Sequence, residues 1–413
     1  MDAKRYEWRL IVILGLTFGF VFFDRNALNY LLPFIVKEIA LSNTQIGAAA
    51  AILALAWSLS GYVVGWISDR TGKRKMFLVG AVVCFSIASY VTGLASTFLH
   101  IMFARAIMGL SDGPVLPLSQ TLMASASRPE RLGLNMGLMQ NVLSNLMGSL
   151  VAPLVMVWLA THYGWRSAFY LTAAPGLVLA LLIFLFVRDD AGTSTHDAEI
   201  LNQAPVGAIS LRHYAGRWNI ACCVVISALM VGWMIVSWVF LPLFLTSAAG
   251  FTPTQMSVGM ATLGVSGAIA GFLVPGLSDR LGRRPAMIIF SLFGIVVPVA
   301  ALLFPDRHMI LIILLGVGWA AGGTFSLFMA TIPAESVGPT ELAGAMAIIM
   351  GAGELIGGAV APLFVGWMAD IYGLGAPLWA EIILAGSAAA VALLLNETAP
   401  SRVADGEAFS LVK

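Results

Sequence analysis

Charged side chains are scarce in this sequence: only 10% of its 413 residues are Asp, Glu, Lys or Arg, whereas 59% are hydrophobic. Soluble globular domains carry about 25% charged residues. The formal net charge of +1 gives no bulk attraction to nucleic acid or to a strongly acidic partner. The shortage of charge excludes an ordinary soluble protein and indicates a chain that lies mostly within a lipid bilayer.

Residues that support catalysis or metal binding are equally sparse. The three cysteines, Cys84, Cys222 and Cys223, lie in apolar runs with no disulfide or metal-site spacing. The five histidines are scattered, and the glycine-rich stretch GWAAGGTF lacks the strand that precedes a nucleotide-binding loop. The sequence therefore predicts neither an enzyme nor a cofactor. The segment MDAKRYEWRL leads into an apolar run without a cleavage site, which indicates an uncleaved first span.

Twelve apolar runs of about 20 residues predict an all-α membrane protein with twelve transmembrane helices. The runs cover residues 9–33, 44–66, 76–96, 99–124, 134–160, 167–187, 218–246, 254–276, 286–304, 309–333, 342–369 and 376–395. A polar, turn-rich segment at 188–217 separates the sixth run from the seventh. We therefore expect an N-terminal half (1–187), a cytoplasmic linker (188–217) and a C-terminal half (218–413).

The two halves repeat each other. GWISDRTGKRK (65–75) follows the second run and PGLSDRLGRRP (275–285) follows the eighth, so that Asp69 and Asp279 lie 279 − 69 = 210 residues apart. GSLVAPL (148–154) and GGAVAPL (357–363) are 209 residues apart. Such a parallel duplication of six helices is typical of one large class of transporters.

The distribution of Lys and Arg predicts the orientation. With the N-terminus in the cytoplasm, the inner segments hold seventeen of these residues and the outer segments hold three, Lys37, Arg166 and Arg307. This positive-inside bias predicts that both termini are cytoplasmic. The two remaining arginines, Arg25 and Arg105, fall within spans.

The loop sequence GWISDRTGKRK resembles the major facilitator superfamily motif Gly-x-x-x-Asp-Arg-x-Gly-x-Arg/Lys-Arg/Lys at every position. The second copy departs from it at Pro275, and RAIMG (105–109) resembles the superfamily's helix 4 motif. The resemblance implies alternating access by rocking of the two halves. A loop latch between the halves is expected to involve Asp69, Arg70, Arg74, Asp279 and Arg280. The alternative is that these loop charges only anchor the topology.

Four charged residues within spans point to a functional site. At 1.5 Å per residue, Asp24 lies about 22 Å from the inner surface. Arg105 lies about 7 Å and Asp112 about 18 Å from the outer surface. Asp24 and Arg105 thus fall at similar depth in a core of about 30 Å, and Arg105 and Asp112 share one helical face. Together with Arg25, these three residues are expected to form one cluster of four charges if helices 1 and 4 are neighbours.

Each charge suggests a role. The Arg25 guanidinium keeps its charge and fits a carboxylate, so we expect it to bind an anionic substrate. Asp24 and Asp112, with Arg105 as a partner, are expected to couple proton binding to transport. The alternative is a pair of structural salt bridges, Asp24–Arg105 and Asp112–Arg25.

The helix 1 pair Asp24–Arg25, the Arg and carboxylate seven apart in helix 4, and YGWRSAFYL (163–171) together resemble the anion:cation symporter branch of the superfamily. That resemblance implies that Arg25 binds the substrate carboxylate and that Asp24 and Asp112 take protons. Asp112 is a departure, since the branch usually has Glu there. Spinster-type lipid carriers share the helix 1 and helix 4 features and remain an alternative.

Other polar groups within spans extend the candidate site. Asn141 and Asn145 share a face of helix 5 and are expected to bind the solute or to join helices. Glu354 in helix 11 is the repeat equivalent of Asn145 and is expected to contact the solute or to take a proton. Tyr30 is expected to line the cavity. Glu381 lies nearer a helix end, where we expect solvation.

The sequence thus predicts a monomeric carrier of the plasma (inner) membrane that couples inward proton flow to import of an organic carboxylate, either a sugar acid or an aromatic acid. The main alternative is a spinster-like exporter of lipids, lysolipids or drugs. A membrane receptor is a third class, and it would not require charges at matched depth.

Overall fold

The computed structural model describes residues 3–128, 131–188, 216–400 and 402, and within these ranges the chain is helical without strands. Twelve helices are long and apolar enough to cross a membrane, which confirms the predicted fold class. They are α1 Arg5–Ile35, α2 Asn43–Ser68, α3 Arg74–Gly93, α4 Phe98–Ala126, α5 Asn135–Tyr163, α6 Trp165–Phe186, α7 Trp218–Ser247, α8 Pro253–Leu281, α9 Arg283–Leu303, α10 His308–Ser336, α11 Gly344–Tyr372 and α12 Gly375–Ala392. Residues 189–215, most of the predicted linker, lie outside the described residues.

The repeat is visible in how equivalent helices begin. Ser42 caps α2 and Thr252 caps α8, each by accepting a hydrogen bond from the backbone of the glutamine three residues later. Each glutamine side chain in turn accepts from the cap's backbone N–H, which completes a capping box. The two caps lie 252 − 42 = 210 residues apart, the same spacing as the loop motifs.

The halves meet through α1 with α7, α2 with α11, and α5 with α8. We call the side where α1 begins and α12 ends the terminal face, and the opposite side the distal face. Toward the distal face the backbones of α2 and α11 touch, since a Cβ at Gly47 would lie 2.1 Å from the Pro362 carbonyl oxygen. Nearer the terminal face, a Cβ at Gly65 of α2 or Gly351 of α11 would meet no atom within 4 Å. The contact between α2 and α11 therefore tightens toward the distal face.

Three helices that the sequence predicts as continuous α-helices contain other turns. In α5 the stretches Leu138–Val142 and Leu146–Val151 are π-helical, and in α11 so is Gly353–Val360. In α10 a 3₁₀ stretch, Trp319–Thr324, precedes a π-helical one, Leu327–Thr331. Glycines in these stretches pack against neighbouring backbones, as Gly357 does against Ala228 and Gly232 of α7. Close approach without a Cβ is how small residues join membrane helices, and the local change of helix type accompanies it.

The GWRSAF segment has a structural role at the distal face. Arg166 and Trp165 both donate hydrogen bonds to the Glu38 carboxylate, at 2.5 Å and 2.7 Å, and Arg166 also donates to the Ala95 carbonyl. These bonds hold the pKa of Glu38 below its usual value. The segment therefore ties the loop after α1 to α6 and to the end of α3.

The packing of α7 on α11 yields a stability prediction. A Cβ at Gly357 would lie 2.5 Å from the Ala228 carbonyl oxygen, so Gly357→Ala should destabilise the protein by about 1–3 kcal/mol. Gly351→Ala, on the same helix with open space around it, is the control and should leave stability unchanged or slightly raised. Thermal unfolding of the purified protein in detergent measures both. Equal unfolding temperatures for the two variants would contradict this packing.

Candidate functional site

Among the described residues, an ion pair between Arg25 and Glu354 joins the two halves inside the bundle. The Arg25 guanidinium of α1 lies 3.6 Å from the Glu354 carboxylate of α11, with the two side chains 12% and 18% exposed. The guanidinium carbon also lies 5.7 Å from the centre of the Trp57 ring of α2, within the range of a cation–π contact. Arg25 is therefore held by groups from both halves yet remains accessible.

Arg25 lines a cavity between the two halves. The polar groups at the wall are Arg25, Asn26, Asn29 and Arg105. The rest of the wall is apolar and is built from both halves: Leu28, Leu32, Ile46, Ala50, Leu53, Ile235, Trp238 and Val239. A few convergent polar groups in a mostly apolar wall are typical of a site for a small molecule.

Asp24 points away from the cavity into the N-terminal half. It is buried, and its Oδ1 accepts a 2.6 Å hydrogen bond from Ser89 of α3. The Ser89 hydroxyl is in turn 3.1 Å from that of Thr172 on α6. The second oxygen of Asp24 has no hydrogen-bonding partner among the described residues.

Arg105 connects the charges. Its side chain is buried, it donates a 2.9 Å hydrogen bond to the backbone carbonyl of Arg25, and it interacts electrostatically with Asp24 and Asp112. The structure thus brings together the four charges that the sequence predicts to form one cluster, and it adds Glu354 as the partner of Arg25.

Asp112 is 1% exposed, and neither of its carboxyl oxygens has a hydrogen-bonding partner in the described part of the chain. Arg25 pairs with Glu354 instead of Asp112, and Arg105 donates to a backbone carbonyl instead of to Asp24. The two structural salt bridges proposed as the alternative are therefore absent from the described residues.

The other predicted site residues lie in different surroundings. Tyr30 is buried, and its hydroxyl donates a 3.0 Å hydrogen bond to the Gly148 carbonyl of α5, so here it joins two helices of one half. The Asn145 side chain reaches α8, where its Oδ1 lies 3.4 Å from a Cβ built on Gly267. The side chain of Asn141 lies outside the described part. A role for these residues in substrate binding stays a prediction.

The predicted loop latch is only partly described. The side chain of Asp69 lies outside the described part, and Arg70 stacks on Trp66 at 3.8 Å.

In the second copy, Asp279 binds Arg283 at 2.6 Å, and Arg283 also binds Glu335 at 2.8 Å, all within the C-terminal half. Arg280 accepts a hydrogen bond from Arg402 through its carbonyl. Arg74 begins α3 on the same face. A latch between the halves therefore stays a prediction.

Two features of the structure were not predicted from the sequence. Asn26 and Asn29 line the cavity beside Arg25, and the spacing of four between Arg25 and Asn29 was a signal that they share a face. The expectation that Glu381 is solvated is wrong, because its side chain is 0% exposed. Its position six residues into α12 is near the helix end, but that face packs against α7 and α9 instead of facing water.

Twelve membrane-spanning helices around a charged central cavity define a membrane transporter. The chain matches the model of the Major Facilitator Superfamily over residues 14–334 and 221–412, and it belongs to this family of transporters, which are not enzymes. It is 27% identical over 361 residues to a protein of Cupriavidus pinatubonensis named "Probable 4-methylmuconolactone transporter", which covers 83% of this chain and 81% of the relative.

Two further comparisons agree with this assignment. The chain is 23% identical over 407 residues to a protein of Cupriavidus necator named as a probable sulfoacetate transporter, over 94% of this chain and 93% of the relative. It also superimposes with a TM-score of 0.77, at 20% identity and over 95% of both chains, on a bacterial homologue of the human lysosomal transporter Spinster in an inward-facing, unoccupied conformation. This last similarity supports the fold.

The Asp24 contact yields a second stability prediction. Ser89→Ala removes the hydrogen bond to a buried carboxyl and should cost about 1–3 kcal/mol. Ser86→Ala is the control, because the Ser86 hydroxyl donates to the Val82 carbonyl of its own helix. Unfolding of both purified variants in detergent measures the difference, and a Ser86→Ala variant as unstable as Ser89→Ala would refute the role given to Ser89.

Proposed function

We propose that this protein imports an organic monocarboxylate together with protons by alternating access. The observation that carries the proposal is the Arg25–Glu354 pair: Arg25 faces the cavity and already holds a carboxylate at 3.6 Å. A cargo carboxylate has the same chemistry, so it competes with Glu354 for the guanidinium. Relatives named as transporters of 4-methylmuconolactone and sulfoacetate support an organic acid as the cargo.

Protons influence this competition between Glu354 and the cargo carboxylate for Arg25. A proton on Glu354 removes the negative charge that holds Arg25, and Arg25 is then free to bind the cargo. Asp112 is a second proton site, because burying a carboxylate ion without donors is costly and a proton removes that cost. Asp24 is a third, linked to Arg105 by electrostatic attraction. Substrate and proton thereby favour the same loaded state.

The cavity wall favours an aromatic or otherwise apolar acid over a sugar acid. Beyond Arg25, Asn26, Asn29 and Arg105 the lining is aliphatic or indole, so the hydroxyl groups of a sugar acid would lose water without gaining partners. Trp238 lines the cavity and Trp57 flanks Arg25, and both offer flat faces for a ring.

The same proposal includes location and assembly. The positive-inside bias supports a terminal face in the cytoplasm and a location in a bacterial inner membrane, and the protein is proposed to act as a monomer. The alternative, an exporter of lipids or drugs, is favoured by the similarity of fold to the Spinster homologue and by the apolar lining. Saturable uptake of a small acid that an amphipathic lipid does not inhibit would favour the importer.

Arg25 and Glu354 should respond in opposite directions. Arg25→Ala should weaken binding of benzoate, an aromatic probe, by about 10- to 150-fold, the value of a charge-assisted hydrogen bond. Glu354→Gln should bind benzoate about tenfold more tightly at neutral pH and with little pH dependence, because the competing charge is gone. Glu381→Gln is the matched control at a buried glutamate outside the cavity wall.

Titration calorimetry at several pH values measures these affinities, and gluconate serves as the sugar-acid probe. Unchanged pH dependence in Glu354→Gln would exclude Glu354 as the site where a proton promotes cargo binding. Tighter binding of gluconate than of benzoate would overturn the proposed cargo class without affecting the role of Arg25.

Asp112 should separate accumulation from exchange. Asp112→Asn mimics the protonated acid permanently, so proteoliposomes should lose uptake driven by an imposed pH gradient but keep exchange of labelled for unlabelled cargo. Asp306→Asn, in the loop between α9 and α10, is the control and should accumulate cargo normally. Normal accumulation by Asp112→Asn would contradict its role as a proton site.

A further inference from the structure

The pattern Gly-Trp-x-x-Asp occurs twice in the sequence, at the end of α2, where it is part of the superfamily motif, and at the end of α11, where it is not. α2 ends with Gly65-Trp66-x-x-Asp69, and α11 ends with Gly366-Trp367-x-x-Asp370. The two helices run in opposite directions, so the first aspartate lies at the terminal face and the second at the distal face. Asp370 does not line the cavity and is not one of the proton sites proposed above.

Asp370 of the C-terminal half binds the start of α2 in the N-terminal half. Its Oδ1 accepts a 2.7 Å hydrogen bond from the Asn43 N–H, and its Oδ2 accepts from the Thr44 N–H at 2.9 Å and the Thr44 hydroxyl at 2.6 Å. The first N–H groups of a helix have no partner within the helix. A carboxylate there satisfies them and also meets the positive end of the helix dipole.

The backbones around this contact are too close for side chains. A Cβ at Gly366 would lie 2.3 Å from the Asn43 carbonyl oxygen, one turn before Asp370. A Cβ at Gly47 would lie 2.1 Å from the Pro362 carbonyl oxygen, one turn further into both helices. The Asp370 carboxylate thus completes a contact that the glycines make possible.

The equivalent position of the other half has no carboxylate. Thr161 of α5 lies 370 − 161 = 209 residues before Asp370, the spacing of the repeat. Its hydroxyl donates to the Val157 carbonyl of its own helix at 2.7 Å. At this position of the described chain, the α5–α8 contact therefore has no counterpart of the Asp370 carboxylate.

We infer that Asp370, with the Asn43 and Thr44 N–H groups, forms a distal latch that holds the distal side of the cavity closed. Opening of that side requires α2 and α11 to separate. This separation breaks the three hydrogen bonds that Asp370 accepts. The latch favours the conformation seen here by about fivefold, the size expected for one helix cap. The inference rests on the alternating-access part of the proposed function but not on its cargo or protons.

Cysteine accessibility tests the latch without cargo or a pH gradient. The three native cysteines are replaced by serine or alanine, and the probe is Ala50→Cys, at a position on α2 that lines the cavity. A membrane-impermeant maleimide is applied from the distal side to vesicles of known orientation. Asp370→Ala should raise the labelling rate of the probe about fivefold, and Asp370→Asn, which keeps one acceptor oxygen, should raise it less.

Thr161→Ala in the same background is the matched control and should leave the rate unchanged. A second probe, Gly351→Cys on the terminal side of α11, should be labelled more slowly from the terminal side when Asp370 is replaced by Ala. Unchanged labelling of both probes in Asp370→Ala, or an equal rise in Thr161→Ala, would overturn the latch. Failure of the proposed cargo or proton sites would leave all these rates as stated, so the two ideas are tested separately.

Discussion

The structure depends on the cost of placing charge within a membrane span. Arg25 keeps its charge under all ordinary conditions, so it needs an anion close by. Glu354 supplies that anion from the other half of the molecule, at 3.6 Å. Because desolvation offsets most of the attraction in such a pair, the bond holds the halves together only weakly. A pair that is necessary but weak is well suited to a site where a partner must be exchanged.

The rest of the bundle is a scaffold that brings Arg25 and Glu354 together without fixing them to each other. Membrane helices gain little from hydrophobic burial against one another, so close approach must come from small residues and a few polar contacts. Gly47 and Gly357 let α2 and α7 contact α11 without intervening side chains. The local π-helical turn in α11 is the stretch that carries both Glu354 and Gly357. The helix that contributes the movable partner therefore also makes the closest contacts.

Much of this fold was predictable because it follows from local properties of the sequence. Hydropathy gave the twelve spans, and the loop motifs at a spacing of 210 gave the duplication. Depth along each helix predicted that Asp24, Arg25, Arg105 and Asp112 meet. What depth cannot give is the rotation of each helix about its own axis. For that reason the pairing of Arg25 with Glu354 was not predicted, and the burial of Glu381 was missed. The π-helical turns were unpredictable for a related reason, since they follow from packing against a neighbour and not from propensity.

The duplication has diverged in chemistry although its geometry is kept. The position 210 residues after Asp24 is occupied by Met234, which carries no charge. The cluster of Asp24, Arg25, Arg105 and Asp112 thus belongs to the N-terminal half, while Ile235, Trp238 and Val239 give the C-terminal half an apolar wall at the cavity. If both halves held charge clusters, every rocking motion would break many ion pairs at once. In the proposed mechanism the ion pair from Arg25 to the opposite half breaks when Glu354 is protonated or when a cargo anion takes its place.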